Sequence, residues 1–368
     1  MDSRERLLNC LNGRPVDRVP ISTYELVGYN SEAWENKEPS YKRLMDEIRA
    51  RTDCFYMAEP DWMESEKIER SVETWREGNS TFTRTVLWTA KGPLEKLTRE
   101  DDGIHTIWHL KHFLSDLSDI DHYLGIPYEP PKVDFRRFDQ QASQLGGNGL
   151  MMISVGDPIC EAAELFSMAD FLVLALTETE KICYFLDALF ERQQAKLKQM
   201  LSHPVQDVVF RICGPEYATP PYLPPELFRK LVTVYLIPIC RQIREAGAIP
   251  RIHCHGRISK ILDQFALTEA QAIDPLEPPP DGDIELAEVK RLYGKQFCLL
   301  GHIELRELEQ SDPQRIDRLV REAMDAGKPG GRFILMPTAA PINVPLSPKT
   351  EANYLQMIES AWRYGFYD

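Results

Sequence analysis

Short apolar runs alternate with longer stretches of helical spacing along most of this 368-residue chain, and that alternation limits what it can fold into. The runs are VPISTYE (19–25), CFYMAEP (54–60), LMMISVG (150–156), DVVFRIC (207–213), IPRIHCH (249–255), AIDPLE (272–277), FCLLGHI (297–303) and RFILMPT (332–338). Helical patterns at 178–201, 225–246, 257–267, 284–293 and 312–326 separate the later ones. A strand that is apolar on both sides must be covered on both faces, which parallel βαβ units achieve. Eight such strands predict an α/β fold, a (β/α)8 TIM barrel forming a single domain over residues 1–368. The interval after the second strand is too long for one crossover. Within it, EKIERSVETWREGNSTFTRTVLWT (66–89) has two alternating runs about a Gly-Asn turn, which predicts an inserted antiparallel hairpin. The Pro-rich pieces YEPPK, TPPYLPPE and PLEPPPDGD read as stiff loops.

Composition narrows the function classes. With 43% hydrophobic and 27% charged residues the chain can bury a sizeable core. A net charge of −14 speaks against nucleic acid or an anionic membrane as the main partner, and leaves a small-molecule substrate as the expectation. No run approaches the roughly 20 apolar residues that span a bilayer, and MDSRERLLNCLNG lacks the apolar core of a secretory signal. Eight cysteines are dispersed without a CxxC pair, which points to a reducing cytoplasm. A homodimer is one assembly open to such a chain.

In a barrel, function collects where strands end. Those ends offer Tyr24, Glu25, Glu59, Asp61, Asp157, Glu216, Tyr217, His253, His255, Glu277, His302, Glu304 and Thr338. In RIHCHGRI (251–258), strand alternation puts His253 and His255 on one face and turns Cys254 into the packing behind it. Two imidazoles at that spacing, with Glu277 from the next strand, form a His2Glu set suited to zinc with one open position. The alternative is that the histidines hydrogen-bond carboxylates around an organic substrate. His302 reads as a further ligand or an acid/base, and Cys213 as a weak alternate ligand. Glu216, Tyr217 and Asp157 read as catalytic pocket residues, although Asp157 and Glu216 also suit helix capping. Tyr24, Glu25, Glu59 and Thr338 are candidate substrate contacts. Arg211 and Arg251 either hold an anion or pair with acids between strands. No GxSxG nucleophile motif is present.

SRERLLNCLNGRPVDRVPI, GPEYATPPYLPPELF, IHCHG, DPLEPPPDGDIEL, LLGHIELRELE and GGRFILMPTAAP resemble the uroporphyrinogen decarboxylase-like superfamily. The resemblance implies a TIM barrel and one of two chemistries. One is cofactor-free decarboxylation of uroporphyrinogen. The other is zinc-dependent methyl transfer involving a corrinoid carried by a partner protein. The decarboxylases hold substrate carboxylates with an arginine-rich motif after the first strand, where this chain reads STYELVGYN. The methyltransferases carry His-x-Cys and a later cysteine, where this chain has His253, His255 and then Thr338 or Ala339. Replacing thiolates with imidazole and carboxylate would make the metal a stronger Lewis acid. The resemblance therefore implies an enzyme nearer the methyltransferase branch, with decarboxylation and a non-catalytic ligand- or corrinoid-protein-binding barrel as rivals.

Overall fold

The computed structural model describes residues 1–63 and 69–367. Seven parallel strands form one curled sheet: β1 (Cys54–Met57), β2 (Gly149–Gly156), β3 (Val209–Cys213), β4 (Ile249–His253), β5 (Ala272–Asp274), β6 (Cys298–Ile303) and β7 (Phe333–Pro337), hydrogen-bonded in that order. Helices follow each strand from β2 onward, including Pro158–Leu165, Thr179–Leu201, Val234–Glu245, Leu286–Tyr293, Pro313–Gly327 and Pro348–Tyr364. Asp157, Asp312 and Ser347 cap three of them, each followed by a proline that needs no N–H there.

The alternation along each strand divides the core. Ile153, Phe210, Ile212, Ile252, Ile273, Leu299 and Leu335 pack outward against the helices. Leu150, Met152, Val209, Ile249, Ala272, Leu300 and Ile334 point to the other side, where Leu7, Cys10 and Leu11 of the helix Ser3–Leu11 join them. That helix plugs the end at which the strands begin. The opposite end, where they finish, stays polar.

The first expected strand, 19–25, shrinks to one parallel bridge between Ile21 and Leu335. Pro20 has no N–H to donate, so a longer ladder cannot form there. Even so, the segment contacts both edges of the sheet. Ser22 N donates to Leu335 O (2.8 Å) and Leu335 N to Pro20 O (3.0 Å), while Asp53 N donates to Ile21 O (2.7 Å). The Asp53 side chain completes the junction. Its oxygens accept from Arg6 Nη1 (2.7 Å), Arg18 Nη1 (2.7 Å) and Ile21 N (2.9 Å), with the carboxylate fully buried.

The insertion is larger than a hairpin. Arg70–Glu77 and Ser80–Thr89 pair about the Gly-Asn turn, and Gly92–Asp101 and Trp108–Lys111 extend them to a four-stranded antiparallel sheet. Of the hairpin expected at 66–89, residues 66–68 lie outside the described residues. Two helical expectations also change. Only Leu262–Phe265 of 257–267 is helical, because Asp283 pins the N–H and hydroxyl of Ser259 in a loop. The 225–246 stretch is broken by a π-turn at Arg229–Thr233. No helix among the described residues is long and apolar enough to cross a membrane.

Replacing Asp53 with alanine strands the buried Arg18 guanidinium and removes one of the two carboxylates that hold Arg6. Breaking a buried pair from one side costs about 3–5 kcal/mol, so Asp53→Ala is expected to lower the denaturant midpoint sharply, read by urea unfolding. A change within about 0.5 kcal/mol would show that the junction is not structural.

Candidate active site

On β4, Ile249, Arg251 and His253 point inward in succession, climbing from the apolar floor toward the strand ends. Arg251 is 1% exposed, so its charge needs a partner. Asp274, at the end of β5 and in register with His253, supplies one. Its Oδ1 accepts from Arg251 Nε (2.5 Å), its Oδ2 from Arg251 Nη2 (2.6 Å), and Oδ2 also lies 2.8 Å from His253 Nδ1. The same guanidinium lies 5.2 Å from the Phe55 ring centroid. Burial works against ionisation of Asp274, but Arg251 and His253 outweigh it and hold the carboxyl well below its ordinary range.

The other nitrogen of His253 fixes its tautomer. Nε2 lies 2.9 Å from Arg211 Nη2, and a guanidinium can only donate. Nε2 therefore carries the lone pair, and Nδ1–H donates to Asp274. Burial, with the charges of Arg211 and His255 added, drives the imidazole down to about 3 against the pull of Asp274, so it is neutral. Arg211 also donates to Tyr24 Oη (2.7 Å) and Glu25 Oε1 (2.9 Å). Tyr24 holds this position from a left-handed backbone conformation, φ 58°, that most residues avoid.

Nearer the mouth, His255 Nδ1 meets Glu277 Oε1 at 2.7 Å, and Gly256 N donates to Glu277 Oε2 at 2.6 Å. Burial disfavours both charges. The hydrogen bond and mutual attraction prevail, raising His255 and lowering Glu277, so they form an ion pair. Glu304, at the end of β6, behaves differently. Burial, then the charge of Glu277, pushes it up to about 7 despite a hydrogen bond from Thr338 Oγ1 (3.2 Å). Its Oε1 is buried without a hydrogen-bond partner, as is His302 Nδ1, and burial takes His302 down to about 4. Glu216 accepts from Gly214 N (3.0 Å) and is raised by burial.

A family model for uroporphyrinogen decarboxylase matches residues 142–358, more than half of the chain. The chain belongs to this family. A solved methyltransferase from Methanosarcina mazei superposes with a TM-score of 0.62, covering 99% of each chain at 13% sequence identity, a likeness of fold. No curated protein sequence matches. Within the family's frame, the His2Glu zinc set is not assembled. His253 has both nitrogens committed, one of them facing the positive charge of Arg211. Both oxygens of Glu277 are taken by His255 and Gly256. Among the described residues no group of three or more His, Cys, Asp or Glu side chains could hold a metal ion. These side chains do not fit zinc as they stand, and they fit the hydrogen-bonded alternative.

The remaining expectations divide. Tyr24, Glu25, His253, His255, Glu277 and Glu216 gather at one end of the barrel. Asp157 does not line it: the side chain is wholly buried, its Oδ1 caps Pro158–Leu165 by accepting from Cys160 N (2.9 Å), and only a glycine at 214 leaves room for the carboxylate. Thr338 is 2% exposed and fixes Glu304 and Leu305 N, so it supports the site from behind. Glu59 lies on a separate cleft with Cys213. Tyr217, half-buried on the turn Pro215–Ala218, has its hydroxyl raised by burial and by Cys160 and Glu164. Cys254 faces outward, its Sγ 3.1 Å from Thr219 Oγ1. Asp274 was read only as part of an apolar run before Pro275. The signal that could have found it is the pairing demand of a buried Arg251 on the neighbouring strand.

The ion pair at the mouth has a pH signature. His255 is raised, so its contribution to stability is complete below the ordinary histidine value of about 6.5 and disappears as pH rises through its folded value. Urea midpoints measured from acid to alkaline pH should fall above that point, and Glu277→Gln should flatten the fall. Parallel profiles for the two proteins would refute the pair.

Proposed function

We propose that this member of the uroporphyrinogen decarboxylase family is an enzyme of the methyl-transfer type, acting at the mouth of a (β/α)8 barrel whose eighth strand is reduced to Pro20–Ser22. Its substrate would be a small methylated compound, neutral or cationic. One observation carries the reading: both barrel arginines are engaged within the protein, while Glu304 keeps a carboxyl oxygen free. Arg251 is neutralised by Asp274, and Arg211 is shared among Glu25, Tyr24 and His253. A polycarboxylate such as uroporphyrinogen would find no free cation in this network and would face Glu216, Glu277 and Glu304. Likeness of fold to a protein named a methyltransferase supports the same choice.

In this reading the bond between the methyl group and its leaving atom breaks with the electron pair going to that atom. With a neutral donor the leaving atom departs as an anion, and Glu304, held near neutrality, delivers the proton it needs; a cationic donor leaves as a neutral molecule and needs none. His255 and Glu277 orient the substrate, and Thr338 and Leu305 keep the Glu304 carboxyl in place. A corrinoid held by a partner protein would supply the methyl-accepting nucleophile. The mouth is open to such a group, with the side chains of His255 and Glu25 33% and 39% exposed. No step of this scheme is routed through zinc. The reaction would run in the cytoplasm.

Glu304 as general acid implies a rate that declines as pH rises through about 7, because the donating form is then lost. Glu304→Gln should lower the rate by roughly 10²–10⁴-fold and remove that limb of the profile, in an assay of demethylation of small methylated donors with a corrinoid protein. An unchanged profile would remove Glu304 from the mechanism. Conversion of uroporphyrinogen by the wild-type chain at about 1 per second or faster would overturn the reading as a whole.

A further inference from the structure

Away from the barrel mouth, a cleft of about 850 Å³ separates the helices Pro158–Leu165 and Thr179–Leu201 from the insertion. Its size is that of a small-molecule pocket. Trp62, Leu87, Tyr123, Tyr128, Ile153 and Met200 give it an apolar and aromatic lining. Its polar groups are poorly matched to one another. Arg192 is sandwiched between aromatic rings, its guanidinium carbon 5.4 Å from the Tyr123 centroid and 5.0 Å from that of Tyr128. It donates to Leu124 O (3.3 Å) and, like Lys196 one turn further on, forms no ion pair among the described residues. On the facing helix, Glu161 has only long contacts, to Tyr123 Oη (3.4 Å) and Gln193 Nε2 (3.5 Å). Glu164, raised by burial, also lacks an ion pair there.

The helix Thr179–Leu201 also carries two buried amide atoms without hydrogen-bond partners. Gln193 is oriented by the bond from its Nε2 to Asp157 O (2.9 Å), which leaves Oε1 unsatisfied. Gln194 is oriented by accepting from Gln242 Nε2 at Oε1 (2.7 Å), which leaves Nε2 unsatisfied. Each leaves an unmet hydrogen bond within the wall of the cleft. A guanidinium flanked by two aromatic rings is restricted in position, and its fork of donors suits a carboxylate. Glu161 and Glu164 opposite offer carboxylates to a positive charge.

We propose that this cleft binds a small organic zwitterion with an apolar body, its carboxylate held by Arg192 and Lys196 and its ammonium group by Glu161 and Glu164. The apolar body lies against Trp62, Tyr128 and Leu87. The cleft also borders Ser154, Gly156 and Cys213 on the barrel strands, and Gln193 is bonded to the backbone just after β2. Occupancy therefore abuts the strand ends without using His253, His255 or Glu304.

Calorimetric titration of the full chain at neutral pH tests this, with phenylalanine as the zwitterionic probe and 3-phenylpropanoate and 2-phenylethylamine as its singly charged counterparts. Phenylalanine should bind at least about tenfold more tightly than either, the factor that corresponds to 1.4 kcal/mol. Arg192→Gln should abolish its advantage over the amine, and Glu161→Gln its advantage over the acid. Lys196→Gln, one turn further along the helix, provides a second cationic variant if Arg192→Gln unfolds. Absence of phenylalanine binding at about 10 mM, equal affinity for all three probes, or no response to the substitutions would overturn the proposal. Glu304→Gln should leave this binding unchanged, so the result is separable from the fate of the methyl-transfer reading.

Discussion

The interior of this barrel depends on one carboxylate. Asp274 sits between a guanidinium that is 1% exposed and an imidazole that is 3% exposed, and each of its oxygens is used. Without it, Arg251 would be an isolated charge in a dry interior, a condition that proteins avoid. With it, a sequence of constraints runs upward. Nδ1 of His253 must donate, so Nε2 must accept; Arg211 can then donate to that ring, and its remaining groups reach Tyr24 and Glu25. Polarity therefore increases in steps from an apolar floor through a neutralised ion pair to an open mouth. A barrel filled by hydrocarbon alone would fold as well, but it would present no oriented groups at its upper end.

Much of this was legible in the sequence because strand periodicity is a local property. The alternation that separated His253 from Cys254 also divides the two cores, and the order of the later strands follows from apolar runs that helices interrupt. What escaped was pairwise. Asp274, Arg251 and His253 become one unit only when β4 and β5 are adjacent in register, and nothing within AIDPLE announces that partnership. For the same reason the hydrogen bond between His255 and Glu277 is not legible within either segment. Asp157 illustrates a different limit, since a residue between a strand and a Pro-led helix suits a cap and a catalytic acid equally until its burial is known. Pro20 was visible throughout, yet its missing donor decides how much of 19–25 can be strand only once both neighbours are placed.

The contrast between Glu277 and Glu304 shows how position assigns chemistry to identical side chains. Glu277 gains an imidazole and a backbone N–H and remains ionised. Glu304 has a hydroxyl on one oxygen, nothing on the other, and a like charge nearby. Two carboxyls at neighbouring strand ends are thus driven apart in proton affinity by their surroundings, an arrangement that gives one the role of fixed charge and the other that of exchangeable proton.

The helix Ser3–Leu11 and the segment at Ile21 have a bearing on how the chain is made. Leu7, Cys10 and Leu11 pack against the beginnings of strands as distant as β6 and β7, and Cys10 Sγ reaches Phe333 O (3.3 Å). During synthesis these first residues leave the ribosome long before the strands they plug. They must wait, solvent-exposed, until the last strand is translated, and the sheet's two edges stay unjoined for that interval. Unsealed strand edges are where chains pair wrongly, so the nascent protein stays open to misassembly until β7 arrives.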